Sequence, residues 1–358
     1  MEESIKKQDN RPLKLIFEIV LFCVVFSLNC SARILHDNGK VLKEVVQIFR
    51  QYKPLIEDHS ADIIAKKRLS KEQIDHILNS RTPASDISLS HLNDIAQVVF
   101  LRPPQTERKD IKPLNKIYFP YTDRKVFKLF RAIGDVGDIY PKRKHYRYIL
   151  LTGAMIERMR GRLKILVDLI KARKVILTPT TEIVFLTGER ALFSEEDATQ
   201  LMDPSPLKVD PQWKKPSSFP KTEEQAARWI WNQSLLPCSL RDAKITFVKA
   251  KNKIEKDPHT KEMKLKRPSA LDTIQTWIES EKLEPGTCLI ISNQPYVHYY
   301  EATIRGAFKK AGLLEKGFSL EVVGFGPKEK NLNQFKENIA VILDNFARTI
   351  YAENTNLK

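Results

Sequence analysis

Between Tyr148 and Gly324 the chain alternates five short apolar runs with longer amphipathic ones. No other feature of the sequence constrains the fold as strongly. The short runs are Tyr148–Thr152, Glu182–Thr187, Lys244–Val248, Cys288–Ile291 and Ser319–Gly324. They read as near-continuous apolar segments, the pattern of strands buried on both faces. Between them, Met155–Lys171, Thr222–Ser234, Pro268–Ser280 and Tyr299–Lys310 are expected to be helices, and Leu332–Tyr351 a closing helix. Strands joined through helices return parallel to one another. The expectation is an α/β unit over residues 147–358, with a mostly parallel five-stranded sheet and helices on both faces.

The preceding residues read differently. Residues 33–110 carry helical periodicity and no strand pattern, which predicts a small helical region. Val41–Tyr52 is one expected helix, and Ser70 with Gln73 three residues later makes a capping-box start for another. Ser88–Phe100 is a third, with Ser90 as its expected cap, stopped by Arg102-Pro103-Pro104. Residues 111–146 mix aromatic and basic side chains and are expected to be a connector.

At the N-terminus, Lys6, Lys7, Arg11 and Lys14 precede an apolar run from Leu15 to Leu28 that ends in Asn29-Cys30-Ser31-Ala32. At 1.5 Å per residue this run reaches about 21 Å, short of a bilayer core of about 30 Å. A signal peptide over residues 1–32, cleaved after Ala32, is the expectation, with a retained membrane anchor as the alternative. The chain is then exported, periplasmic or envelope-associated. Cys238 and Cys288 remain after cleavage, too few for a disulfide scaffold, and Cys288 falls in a core strand. Sixty Lys and Arg against 44 Asp and Glu leave a formal charge of +16, which suits an anionic ligand or an envelope or membrane surface. Export counts against nucleic acid.

In an open parallel sheet, ligands sit at the carboxyl ends of the strands. Polar or glycine residues stand at those ends here: Thr152-Gly153, with Glu157, Arg158, Arg160 and Arg162 in the next helix; Thr187-Gly188-Glu189-Arg190; Ser292-Asn293-Gln294-Pro295-Tyr296; and Gly324-Phe325-Gly326. The glycines admit close backbone approach, and arginine can grip phosphate with two donors. Glu157, Glu189, Glu223 and Glu224 could supply carboxylates, and His298 a general base. There is no G-x-G-x-x-G, Walker or G-x-S-x-G motif and no paired metal-ligand spacing among the seven histidines.

The order of these segments resembles the YdcF-like family of bacterial domains, which includes envelope proteins. The resemblance runs through Gly153, Arg162-Leu163, Thr187-Gly188, Thr222-Glu223-Glu224, Asp272-Thr273 and Ile291-Ser292-Asn293. Gln294-Pro295-Tyr296 stands where members often carry His and Arg, and a basic insertion, Lys249–Arg267, is unusual. The resemblance implies a Rossmann-like domain, a role in the cell envelope and a small anionic ligand, phosphorylated or nucleotide-like; S-adenosylmethionine is a cofactor implied by it alone. The expected ligand-binding residues are Gly153, Arg162, Gly188, Thr222, Asp272, Thr273, Ser292 and Asn293, with Glu224 and Glu189 as candidate acid–base groups. A second reading is a secreted interaction protein acting through its helical region and basic loops, without catalysis.

Overall fold

The structure is a computed structural model that describes residues 34–357, apart from 37, 68, 104, 105, 108, 109, 257–261, 281 and 327–331. The expected signal or anchor segment, residues 1–32, lies outside the described residues. Among those described, no helix is long and apolar enough to cross a membrane.

The first unit is helical: α1 (Lys43–Gln51), α2 (Lys53–Asp58), α3 (Ser60–Lys67), α4 (Lys71–Leu78), α5 (Leu89–Val99), α6 (Asn115–Tyr118) and α7 (Arg124–Ala132). Ser70 and Gln73 form the reciprocal capping box at α4. At α5 the cap is Ser88, whose Oγ accepts from the Ser90 amide at 3.2 Å, two residues earlier than expected. Most of the segment read as a connector packs into this unit, with Tyr118, Val126, Phe130 and Ile133 in its core, while Ile139 and Tyr146 already pack on the sheet.

The second unit runs β1 (Tyr148–Thr152), α8 (Ile156–Lys171), β2 (Glu182–Gly188), α9 (Ala198–Met202), α10 (Glu223–Gln233), α11 (Cys238–Arg241) and β3 (Lys244–Ala250). After a two-stranded ribbon, β4 (Lys253–Lys256) and β5 (Met263–Lys266), come α12 (Ala270–Ser280), β6 (Thr287–Asn293), α13 (Val297–Lys310) and β7 (Ser319–Phe325). The chain then forms α14 (Leu332–Glu337) and α15 (Ile339–Asn356). The main sheet is parallel throughout, in the order β3-β2-β1-β6-β7. This is the α/β, Rossmann-like architecture read from the strand pattern. Alternation along β1 sends Ile149 and Leu151 to one face, with α8 and α10, and Tyr148 and Leu150 to the other, with α12 and α13. Cys238 and Cys288 are both free, and Cys288 is buried.

Two expectations are corrected. The basic insertion Lys249–Arg267 is not a plain loop, since β4 and β5 pair antiparallel within it. The closing helix is not a simple cover for the sheet. It breaks into α14 and α15, and Phe335, Ile339, Leu343, Phe346 and Ile350 fill the core of the helical unit. The Phe346 ring lies 5.3 Å from that of Phe130 and 5.8 Å from that of Phe49. The opposite side of α15 packs on α13, where Asn356 Nδ2 donates to the Ala302 carbonyl at 2.8 Å and Arg305 pairs with Glu353. Gly306 makes that approach feasible: a Cβ there would stand 2.1 Å from Asn356 Oδ1. The helix thus has a partner in each unit, joined to the helical core through its apolar side and to α13 through polar contacts.

Candidate functional site

The sheet reverses direction of growth between β1 and β6, and a cleft of about 350 Å³ opens at the strand ends there. One wall is the α/β unit: Gly153, Arg158, Arg162, Arg190, Glu223, Tyr296 and Tyr300. The opposite wall comes from the helical unit, with Arg102 after α5 and Arg348 on α15. Lys266 and Arg267, at the end of the ribbon, complete the mouth.

Arg162 stands at the centre and is 2% exposed. Its Nη1 donates to the carbonyls of Thr152 and Gly153 at 2.6 and 2.7 Å, while Nε and Nη2 donate to Asn293 Oδ1 at 3.1 and 2.8 Å. The guanidinium thus clasps the ends of β1 and β6 across the switch point. Burial lowers its pKa from the ordinary arginine value. Arg158, one helical turn earlier on the same face of α8, donates to Tyr296 Oη at 3.0 Å and is exposed. Among the described residues, neither arginine is ion-paired to a carboxylate.

The other cations are balanced. Asp344, fully buried on α15, binds Arg102 Nη1 at 3.3 Å and Arg348 Nε at 3.1 Å. Glu196 binds Arg190 through both oxygens, at 2.6 and 3.2 Å, and Glu223 Oε1 lies 3.6 Å from Arg190 Nε. Glu107 pairs with Arg267 at 2.8 Å, and Glu255 with Lys266 at 2.7 Å. Seven cationic side chains line the cleft and these five carboxylates pair with them, leaving an excess of two positive charges. A phosphate monoester carries about −1.5 to −2 at pH 7.

The N-terminus of the helix after β1, where nucleotide-binding sheets hold phosphate, is occupied by the chain itself. Glu196 Oε1 accepts from the Ile156 amide at 3.0 Å, and its other oxygen accepts from the Phe193 amide at 3.0 Å. An incoming anion therefore meets the guanidinium wall rather than the helix dipole. Glu223 is the carboxylate beside it. Its Oε2 accepts from the Gly188 amide at 3.2 Å, and burial pushes its carboxyl pKa up against the pull of Arg190. That is the environment of a group able to give or take a proton at a bound ligand. Gly153 makes room for it: a Cβ there would lie 2.6 Å from the Leu186 carbonyl and 3.0 Å from Glu223 Oε1.

Of the residues expected from sequence, Gly153, Arg162 and Thr273 line the cleft. Asn293 and Gly188 support it from behind through Arg162 and Glu223. The others serve elsewhere. Glu224 is turned about 100° from Glu223 along α10 and pairs with Arg228. Glu189 pairs with Lys249 at 3.5 Å, away from the cleft. Thr222 caps α10, accepting from the Gln225 amide at 3.3 Å. Asp272 accepts from the Ser269 amide at 2.8 Å and pairs with Lys253. Ser292 is fully buried beneath the floor, its Oγ without a hydrogen-bond partner. Sequence reasoning did not assign Tyr300, Glu196, Arg102 or Arg348 to the site. The Arg158–Arg162 spacing was a usable signal; nothing local marked the two arginines of the helical unit.

His298 is neither a surface residue nor part of the cleft wall. It is 2% exposed, with Nε2 3.6 Å from Asp135 Oδ1, a residue of the segment following α7. Burial pushes the Asp135 carboxyl up to about 6, with His298 pulling it down. A carboxyl raised in the folded state favours folding below about pH 4, and that contribution is lost as pH rises through about 6. Asp135→Asn should escape the loss and exceed the native chain in stability by roughly 2–3 kcal/mol at neutral pH. The difference should close near pH 4. Urea unfolding at the two pH values tests this, and a difference independent of pH contradicts it.

Compared with known proteins, the chain matches no family model, no curated protein and no solved structure.

Proposed function

We propose that this chain is an exported, envelope-associated protein that binds a small phosphorylated ligand in the cleft between its helical unit and the strand ends. The observation that carries the proposal is Arg162, a buried guanidinium whose hydrogen-bond partners are two carbonyls and an amide oxygen; Glu223 acts on its charge from nearby, and among the described residues no carboxylate is bonded to it. A buried charge is costly unless it is compensated, and a ligand phosphate beside Arg162 and Arg158 supplies the compensation. The excess of two positive charges matches a phosphate monoester and is a poor match for the sulfonium of S-adenosylmethionine. Export is supported by the basic and then apolar N-terminal sequence, and the envelope role by the YdcF-like order of motifs.

Thermal unfolding of the full chain with inorganic phosphate, inorganic pyrophosphate or glycerol phosphate tests the binding claim. A ligand at roughly 100 times its Kd should stabilise the fold by about 2.7 kcal/mol, a rise of several degrees in Tm. Arg158→Ala should keep the unliganded Tm, because its side chain is exposed, and lose most of the rise. The assignment fails if none of the three anions raises Tm, or if Arg158→Ala responds like the native chain.

A further inference from the structure

The ribbon β4–β5 breaks the usual rule that a sheet turns its apolar face to the protein. Ile254 pairs with Leu265 and Lys256 with Met263, so these four side chains share one face. Lys253, Glu255, Lys264 and Lys266 share the other. The charged face is tethered inward: Lys253 pairs with Asp272 on α12, and Lys266 reaches the cleft mouth while pairing with Glu255. The aliphatic face is left in water, with Ile254 68%, Met263 64% and Leu265 70% exposed. Three large aliphatic side chains standing together on a projecting ribbon need a cover.

We infer that this ribbon docks the protein on an anionic lipid surface, laying Ile254, Met263 and Leu265 among the headgroups. The choice of partner follows from the side chains. Aliphatic residues flanked by lysines, whose stems lie along an apolar boundary while their ammonium groups stay hydrated, fit a bilayer interface. Lys251 and Lys256 supply positive charge close to the apolar row, and the chain as a whole carries +16. A nucleic acid would call for aromatic stacking residues, and the ribbon has none. A second copy of the ribbon would bring two lysine sets together. Docking in this way sets the cleft mouth, through Lys266 and Arg267, beside the headgroup layer. The inference stands apart from the identity of the ligand in the cleft.

Hydrogen exchange of the full chain, followed on peptides covering 253–256 and 263–266, tests it, because the readout is local and ignores any membrane contact made by residues 1–32. Vesicles of phosphatidylglycerol and phosphatidylcholine should slow exchange in the ribbon several-fold, and pure phosphatidylcholine vesicles should leave it unchanged. The double variant Ile254→Ser, Leu265→Ser should lose the protection while keeping the Tm response to pyrophosphate. Unchanged exchange on anionic vesicles overturns the inference, as does equal protection in the variant or on neutral vesicles. Protection by poly-glutamate or a single-stranded oligonucleotide, with none by vesicles, overturns it in favour of a macromolecular partner. A lost pyrophosphate response with intact ribbon protection would instead count against the cleft.

Discussion

Arg162→Ala should lower the unfolding free energy by about 3–5 kcal/mol, the range for breaking a buried, fully hydrogen-bonded charge site. Four donated bonds vanish at the point where β1 and β6 diverge: the Thr152 carbonyl and Asn293 Oδ1 lose their donors, and the Gly153 carbonyl keeps only the Tyr300 hydroxyl at 3.4 Å. Each buried acceptor left without a partner costs about 1–3 kcal/mol. Arg162→Met separates the structural role from the ligand role, since it restores packing volume without the charge. The Met variant should unfold at lower urea than the native chain yet higher than the Ala variant, and show no Tm response to pyrophosphate. Urea unfolding with and without pyrophosphate measures both effects. A Met variant that still responds to pyrophosphate removes Arg162 from the ligand's environment.

Asp344→Ala is the second large effect, about 2–5 kcal/mol. Its carboxylate is fully buried on α15 and holds both arginines of the helical wall. Without it, Arg102 and Arg348 repel one another across a site only partly open to water. The Tm response to pyrophosphate should weaken without vanishing, because Arg158 and Arg162 are anchored on the other wall. Asp344→Asn keeps an acceptor but not the charge, so its stability should fall between the two. Equal stability of the Asp344→Ala and native chains in urea would mean that the two arginines are already satisfied by solvent.

The site joins two units, so a ligand in it touches both. Helix α15 supplies Arg348 and Asp344 to the cleft, packs Phe346 into the helical core and rests Asn356 on α13. The helical unit is thereby built into the candidate site rather than appended to it. This arrangement favours the cleft over a reading in which the helical region acts alone as an interaction module.

Local pattern explains how much was legible. The five strands, the Ser70 capping box and the Gly153 strand end could be read directly, because strand burial, helix capping and glycine clearance depend on residues close in sequence. Arg158 and Arg162 were legible as a pair for the same reason. The sequence could not separate Glu224 from Glu223, because both sit in the first turn of α10 and only the packing of that helix decides that Glu223 lines the cleft while Glu224 pairs with Arg228. Ser292, Thr222 and Asp272 looked like binding residues because turn and cap chemistry uses the same side chains as ligand chemistry.

The sequence by itself determined a parallel sheet with its polar strand ends gathered on one edge, since apolar runs of strand length joined by amphipathic helices have no other economical packing. The tertiary structure alone decided what those ends face. Bringing Arg102 and Arg348 together at the switch point depends on α15 packing between the two units. That placement arises from side-chain complementarity across more than two hundred residues of sequence, from Arg102 to Arg348, which no local periodicity encodes.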